Sequence, residues 1–171
     1  DGHGNLEAVI LTGRTLQHWY RDLANDPVWR AAQVVTQDAT GPGCIIQSTF
    51  GTGEHHNFEV VVPMDNGRGG SDLWHWFHEN DDPAKPWVRA GLVAQDVAGP
   101  ASMIQSDYDH HGTDNNLEVV VPVGNGAGGA DLRHYFHDNS DLGSEWVPAQ
   151  VVARDVAGPG CLVQSDQGDA D

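Results

Sequence analysis

Positive charge is the scarcest feature of this sequence. Its 171 residues include 8 lysines and arginines against 25 aspartates and glutamates, which gives a formal net charge of -17. A surface of this sign repels the phosphate backbone of nucleic acids and anionic membrane surfaces. We therefore expect no nucleic acid among the partners of this protein.

Long hydrophobic runs are missing and cysteines are few. No stretch approaches the roughly 20 apolar residues of a membrane helix, so membrane insertion is not expected. Cys44 and Cys161 are too few for a disulfide scaffold and form no CxxC pair, which excludes a zinc ribbon and a thioredoxin-type redox site. Apolar residues make up 39% of the chain, enough for a hydrophobic core.

One segment of sequence occurs three times, with its parts always in the same order. The first part reads GNLEAVIL at 4–11, HNFEVVVP at 56–63 and NNLEVVVP at 115–122. The second part reads TLQHWYRD at 15–22, DLWHWFHE at 72–79 and DLRHYFHD at 131–138. A tryptophan follows, and then a part that ends in IIQS, MIQS or LVQS. We treat the chain as a single unit of three repeats, at about 1–52, 53–111 and 112–171.

Each repeat predicts four short β-strands and no helix. The strands are the LEVVVP run, the LxHWF run, the stretch from the tryptophan to VVA, and the IIQS run. Clusters of Gly, Pro, Asn and Asp separate them, and the insertions MDNGRGGS and VGNGAGGA predict loops. Because β-branched residues are frequent and a helical period is missing, we predict an all-β fold.

Three four-stranded repeats suit blades of a β-propeller, a β-trefoil or a three-sheet prism. We favour blades, because VVVP and QVVA are apolar on both faces, as expected of sheets packed between neighbours. A propeller needs about four to eight blades, so three would leave apolar faces uncovered. We therefore expect oligomerisation to complete the ring, with a homodimer of six blades as the first expectation.

The combined pattern of IQS, a short turn, NLEVVVP, LxHYFHDN and a tryptophan resembles the Photorhabdus-type bacterial β-propeller lectins across all three repeats. The resemblance implies binding of fucose- or galactose-type sugars in shallow pockets between adjacent blades. Trp and Tyr rings can stack on the apolar face of a pyranose, and polar side chains can pair with its hydroxyls. The candidate sugar-binding residues are Glu7, His18, Trp19, Ser48, Glu59, His75, Trp76, Ser106, Glu118, His134, Tyr135 and Ser165. Each of these histidines is expected in one pocket with the aromatic residue that follows it.

Aromatic residues are most numerous in the second repeat. Trp74, Trp76 and Phe77 lie together there, so we expect the best-formed pocket in that repeat. A structural role competes with this interpretation, because half of the side chains in an alternating strand must face a neighbouring sheet. The repeated tryptophans Trp29, Trp87 and Trp146 are expected in the core. The repeated Glu and His residues would equally suit hydrogen bonds between blades.

Two places in the sequence resemble metal sites. His75 and His78 form an HxxH, as do His134 and His137, but residues three apart on a strand point to opposite faces and cannot hold one zinc ion. Elsewhere, residues that resemble a calcium loop are Asp107, Asp109, His111, Gly112 and Glu118. The match to the calcium pattern is imperfect, so calcium is a minor alternative and no cofactor is expected.

A non-catalytic lectin that binds glycans is the function these features favour. A glycoside hydrolase needs two carboxylates facing one sugar, and such a pair usually occurs once, whereas the polar residues here recur in parallel positions. We therefore predict no catalytic residues. The alternatives are a protein-binding propeller or a calcium-stabilised structural one. A secreted or cell-surface location is favoured.

Overall fold

The computed structural model of this protein describes residues 4–24, 26–51, 54–107, 115–139 and 144–165. All the regular elements in these ranges are β-strands, which confirms the all-β prediction. Their bounds are β1 Leu6–Thr12, β2 Thr15–Asp22, β3 Asp26–Thr36, β4 Cys44–Gln47, β5 Asn57–Asp65, β6 Ser71–Glu79, β7 Val88–Ala94, β8 Ser102–Gln105, β9 Leu117–Gly124, β10 Ala130–His137 and β11 Val147–Val156. Within the same ranges there is no helix long and apolar enough to cross a bilayer.

The strands form three antiparallel sheets. Sheet 1 has the order β1-β2-β3, sheet 2 the order β4-β5-β6-β7, and sheet 3 the order β11-β10-β9-β8. Each sheet is therefore a meander in which strands adjacent in the chain are hydrogen-bonded neighbours. The glycine-rich insertions are loops, as predicted: Asn66 and Asn125 each accept backbone hydrogen bonds from the glycine four residues later.

The sheets do not coincide with the sequence repeats, and this corrects the prediction of three four-stranded blades. The IIQ strand at the end of each repeat pairs with the first strand of the next repeat, because only a short turn separates the two in the chain. Strand β4 thus belongs to sheet 2 and β8 to sheet 3. Sheet 1 has three strands, and residues 161–165, the third copy of this segment, lie outside the described strands.

Sheet 2 lies between the other two sheets and is apolar on both faces. Alternate residues of β5 divide between two cores: Val60 and Val62 pack with Leu16 and Val35 of sheet 1, and Val61 packs with sheet 3. This period of two explains why VVVP reads as a continuous apolar run. The β5 strand has eight consecutive buried residues, as expected of a strand covered on both sides.

The outer faces of the stack are open where the inner ones are covered. Trp29 of sheet 1 is 42% exposed, whereas the equivalent Trp87 and Trp146 are 6% and 8% exposed. The core prediction is therefore wrong for Trp29, because no described sheet packs against that face. On the far side, Val152 of sheet 3 is 52% exposed, whereas its equivalent Val93 in sheet 2 is 4% exposed.

Candidate functional site

A serine, a glutamate and a histidine form a buried network in sheet 2. The Ser48 hydroxyl donates to Glu59 Oε1 at 3.0 Å, and His75 Nε2 lies 2.8 Å from Glu59 Oε2. Ser48 directly follows β4, whereas Glu59 lies in β5 and His75 in β6. The antiparallel pairing of these strands brings the three residues side by side. Both carboxylate oxygens of Glu59 are therefore used within the sheet.

The same network recurs in sheet 3 and in part in sheet 1. Ser106 donates to Glu118 Oε1 at 3.1 Å, and His134 Nε2 lies 2.5 Å from Glu118 Oε2. In sheet 1, His18 Nε2 lies 2.8 Å from Glu7 Oε2. The equivalent serine, Ser165, is exposed and lies in the segment outside the sheets.

The network joins strands of one sheet, so the interpretation of the repeated Glu and His as a bond between blades is wrong. Glu59 is 2% exposed, and its hydrogen bonds satisfy a carboxylate that would otherwise be costly to bury. The network also fixes the orientation of the His75 ring. We therefore assign Ser48 and Glu59 a positioning role for His75, which faces the neighbouring sheet.

A cavity of about 950 Å³ lies between sheets 2 and 3. On one side the cavity is lined by residues of sheet 2, which include Glu59, His75, Phe77 and Gly91. On the other side its lining includes aromatic and polar residues of sheet 3 and the loop that follows, namely Arg133, Tyr135, His137, Asn139, Ser144, Glu145 and Trp146. The mixture of rings, amides and a carboxylate suits a ligand with both apolar and hydroxylated faces.

The rings in this cavity come from two repeats. His75 of sheet 2 lies edge-on to Trp146 of sheet 3, with ring centroids 5.5 Å apart, and His137 lies 5.5 Å from the same tryptophan. A smaller cavity, of about 220 Å³, lies between sheets 1 and 2 and repeats the pattern. There His18 lies edge-on to Trp87 at 5.6 Å.

The predicted pairing of His75 with Trp76 in one pocket is wrong. Adjacent residues of β6 point to opposite faces, so His75 faces sheet 3 while Trp76 and Trp74 pack against the core shared with sheet 1. The ring that lies across from His75 is instead Trp146, and Tyr135 lines the same cavity. The alternation also separates His75 from His78, as the HxxH argument predicted.

Trp19 is the sheet 1 equivalent of Trp76 and Tyr135. Because those two residues face the preceding sheet, the Trp19 position belongs to the open face of sheet 1, and Trp19 is not among the lining residues of the smaller cavity. The Glu118–His134 pair belongs to the open face of sheet 3 in the same way, and its side chains are 10% and 24% exposed. Trp19, Glu118 and His134 are therefore not brought into either cavity.

One difference between the sheets explains the two cavity sizes. Gln33 lines the smaller cavity, and its side-chain amide donates to the carbonyl oxygen of Pro83 in sheet 2's loop. The equivalent position in sheet 2 is Gly91, which leaves the space in front of Trp146 open. The larger cavity is thus open because a side chain is absent at residue 91.

Several lining residues were not among the predicted site residues, although His137 and Asn139 belong to the HDN motif and Trp146 follows it. The His137 ring lies between two partners, with Nδ1 3.1 Å from Asn139 Oδ1 and Nε2 3.4 Å from the Ser144 hydroxyl. The buried Trp146 Nε1 has no hydrogen-bond partner among the described residues. An indole N–H of this kind is a donor available to an acceptor in the cavity.

Burial lowers the pKa of two histidines at these seams. Loss of solvation lowers the pKa of His137, opposed by its hydrogen bond to Asn139. Loss of solvation likewise lowers the pKa of His78, opposed by a hydrogen bond to the backbone of Lys85. The nearby His75 also lowers the pKa of His137, and His18 also lowers the pKa of His78. Neighbouring carboxylates raise both pKa values.

We expect the free energy of unfolding to fall as the pH drops below about 6.5, the usual histidine value. A lowered folded-state pKa means that the unfolded chain takes up the proton first, so acidification favours unfolding, with a slope of up to about 1.4 kcal/mol per pH unit for each histidine. Urea unfolding from pH 7.5 to 5.5 measures this. His137→Gln should flatten the profile and the exposed His55→Gln should not; equal profiles for the two variants would contradict the assignment.

No group of three or more metal-ligating side chains lies together within the described ranges. The calcium-like pattern falls mainly on residues 108–114, which lie outside those ranges, so this minor alternative stays a prediction. Cys44 and Cys161 are free thiols, and burial raises the pKa of the Cys44 thiol.

Comparison with family models, with curated proteins and with solved structures found no match to this chain.

Proposed function

We propose that this protein is a non-catalytic, multivalent lectin whose sugar pockets lie between adjacent sheets. The observation that carries the proposal is the repeated seam, in which a histidine held by a Glu carboxylate faces a Trp and a second His of the next sheet. Two such seams are formed within the chain, at His18–Trp87 and at His75–Trp146. Repetition of weak sites in this way raises avidity on a dense glycan surface.

The chemistry of the larger cavity supports a sugar ligand. Tyr135 and Phe77 supply ring surface, while Asn139, Glu145 and the Trp146 N–H supply acceptors and donors for hydroxyl groups. By resemblance, fucose- and galactose-type glycans are the ligands to test first.

The carboxylates of this cavity support binding over hydrolysis. Glu59 and Glu145 are the carboxylates among its described lining residues. Both oxygens of Glu59 are already hydrogen-bonded to Ser48 and His75, and the residue is buried. A glycosidase needs two carboxylates able to act on one sugar. Here Glu145 is the carboxylate that lines the cavity outside the Ser48–Glu59–His75 network.

We further propose that the three sheets are blades of a β-propeller and that two copies form a six-bladed ring. The open face of sheet 1 carries apolar residues at the same repeat positions that are buried in sheet 3. Leu6 and Ile10 are each 46% exposed, whereas their equivalents Leu117 and Val121 are buried. A second copy would therefore meet, at each open face, the kind of surface that already packs inside the chain.

A glycan array with fucosylated and galactosylated ligands tests the lectin proposal. We expect binding by the wild-type protein and a loss of about tenfold or more in Glu145→Ala, because a charge-assisted hydrogen bond to a sugar hydroxyl is removed. Glu79→Ala is the matched control, since this half-exposed glutamate pairs with Lys85 outside both cavities. No binding across the array would contradict the proposal and favour a protein-binding module.

A further inference from the structure

Among the described residues, sheet 1 has no strand at an edge where the other two sheets have one. Strand β4 covers the edge of β5, and β8 covers the edge of β9, whereas β1 pairs only with β2 among the described strands. An uncovered edge presents unpaired N–H and C=O groups and accepts an added strand. The position beside β1 is therefore vacant among the described strands.

The segment that matches this position in sequence is at the other end of the stack. Residues 161–165 read CLVQS, where the segments that begin with β4 and β8 read CIIQS and SMIQS. The segment is held against sheet 3 as β8 is held against sheet 2: the Gln164 side-chain oxygen accepts from the Asp107 N–H at 2.9 Å, and that of Gln105 accepts from the Thr49 N–H at 2.7 Å. It is thus already placed as the first strand of a following sheet.

Residues 161–165 are covered on the side that faces sheet 3 and exposed on the other side. The Leu162 N–H donates to the Ser102 hydroxyl at 3.0 Å, and Leu162 is half-buried. Val163 is 81% exposed, whereas its equivalents Ile46 and Ile104 are half-buried in sheets. The segment therefore packs on its own sheet 3 and leaves its other face and its edge open.

We propose that residues 161–165 of one copy add to β1 of a second copy as its fourth strand, and that the exchange is reciprocal. This rests on the proposed six-bladed ring and specifies how the ring closes. Sheet 2 separates residues 161–165 from β1 within one chain, so this segment can reach β1 only in a second copy. The antiparallel register of β4 with β5 sets the expected pairs, which are Cys161–Val9, Leu162–Ala8, Val163–Glu7 and Gln164–Leu6.

The exchange also completes a site. Glu59 and Glu118 each accept from a serine, whereas Glu7 has its histidine but accepts from no serine among the described residues. The Glu7 side chain is 17% exposed, against 2% for Glu59. In the proposed register Ser165 of the second copy takes the position of Ser48 and donates to Glu7. The network that orients His18 is then built from two copies.

Val163→Asp tests the exchange through the solution mass, measured by light scattering at physiological ionic strength. The wild-type chain should have a mass near twice 18.4 kDa. The variant should dissociate at least about tenfold more readily, because the new carboxylate would be buried opposite Glu7. Val88→Asp is the control, at an exposed valine of β7 in the middle sheet. A monomeric wild type, or a dimer that Val163→Asp leaves unchanged, would overturn the exchange.

Cysteine crosslinking tests the register. In a Cys44→Ser background, Val9→Cys should react with native Cys161 through a short bismaleimide and give a covalent dimer on a denaturing gel. Asp65→Cys with Ser71→Cys, in a background without native cysteines, is the control, because that pair is adjacent across one hairpin and Asp65 is exposed. It should crosslink within one chain and leave the protein at the mass of a single chain. A crosslink between residues 9 and 161 of the same chain, or none while the control reacts, would overturn the proposal.

Sugar binding separates this inference from the lectin proposal. The larger cavity lies within one chain, so Val163→Asp should keep its binding to the array even as a monomer, with lower avidity. Absence of sugar binding by a crosslinked dimer would overturn the function and support the exchange. Sugar binding by a wild-type monomer would support the function and overturn the exchange.

Discussion

Gly91→Gln should weaken sugar binding in the larger cavity by at least about tenfold. At the equivalent position in sheet 1, the Gln33 side chain crosses the smaller cavity to the loop of sheet 2. An ideal β-carbon at residue 91 meets only Trp146 Cδ1, at 3.8 Å, so the backbone accepts a side chain there. The added amide would then occupy the space in front of the tryptophan without unfolding the sheet.

Calorimetric titration of the variant with a fucoside or galactoside measures this loss. Gly158→Gln is the control, because a β-carbon there meets nothing within 4 Å and the residue lies outside both cavities. The reciprocal change, Gln33→Gly, should enlarge the smaller cavity and raise its affinity for the same sugars. Unchanged binding by Gly91→Gln would show that sugars bind elsewhere.

Glu59→Ala should destabilise the protein by roughly 3–5 kcal/mol, the usual cost of removing one partner of a buried pair. The substitution leaves the buried His75 ring without its carboxylate partner and the Ser48 hydroxyl with only the weaker bond to the Asn57 carbonyl oxygen, at 3.4 Å. Because natural domains are stable by only about 5–15 kcal/mol, this is a large fraction of the total. Glu59→Gln should cost less, since the amide still offers an oxygen acceptor.

Chemical denaturation of both variants measures the cost. Glu79→Ala is the control for loss of a glutamate at a half-exposed site, where removing the pair with Lys85 should change stability by less than about 1 kcal/mol. A Glu59→Ala effect as small as that of the control would mean that the buried network contributes little to stability. His75 would then owe its orientation to packing against Trp146 instead.

The strands and loops could be predicted from the sequence because they follow from local patterns. The apolar run at 60–62, the period of two that separates His75 from His78, and the glycine-rich insertions each specify their local structure without a partner. The all-β fold follows from these features. The predicted strand at residues 161–165 is not among the described strands. A segment becomes a strand only when the edge of another strand is available to pair with it.

The composition of the pockets could not be predicted from one repeat. Side chains next to each other in sequence, such as His75 and Trp76, were grouped together, although a strand sends them to different seams. The ring that lies edge-on to His75 belongs instead to Trp146, 71 positions further along the chain. Only the stacking order of the sheets joins them, and the exposure of Trp29 has the same origin, because its burial depends on a neighbouring sheet.

The indole N–H resonance of Trp146 tests most directly whether the seam between sheets 2 and 3 binds sugar. Its Nε1 is buried beside the cavity with no hydrogen-bond partner in the described part of the chain. Trp74 instead packs away from the cavity, with the Arg89 guanidinium 4.5 Å from its ring centroid. In a nitrogen–proton spectrum, with assignments from Trp→Phe variants, titration with a fucoside or galactoside should shift the Trp146 signal and leave that of Trp74 in place. A stationary Trp146 signal at saturating sugar would contradict the account.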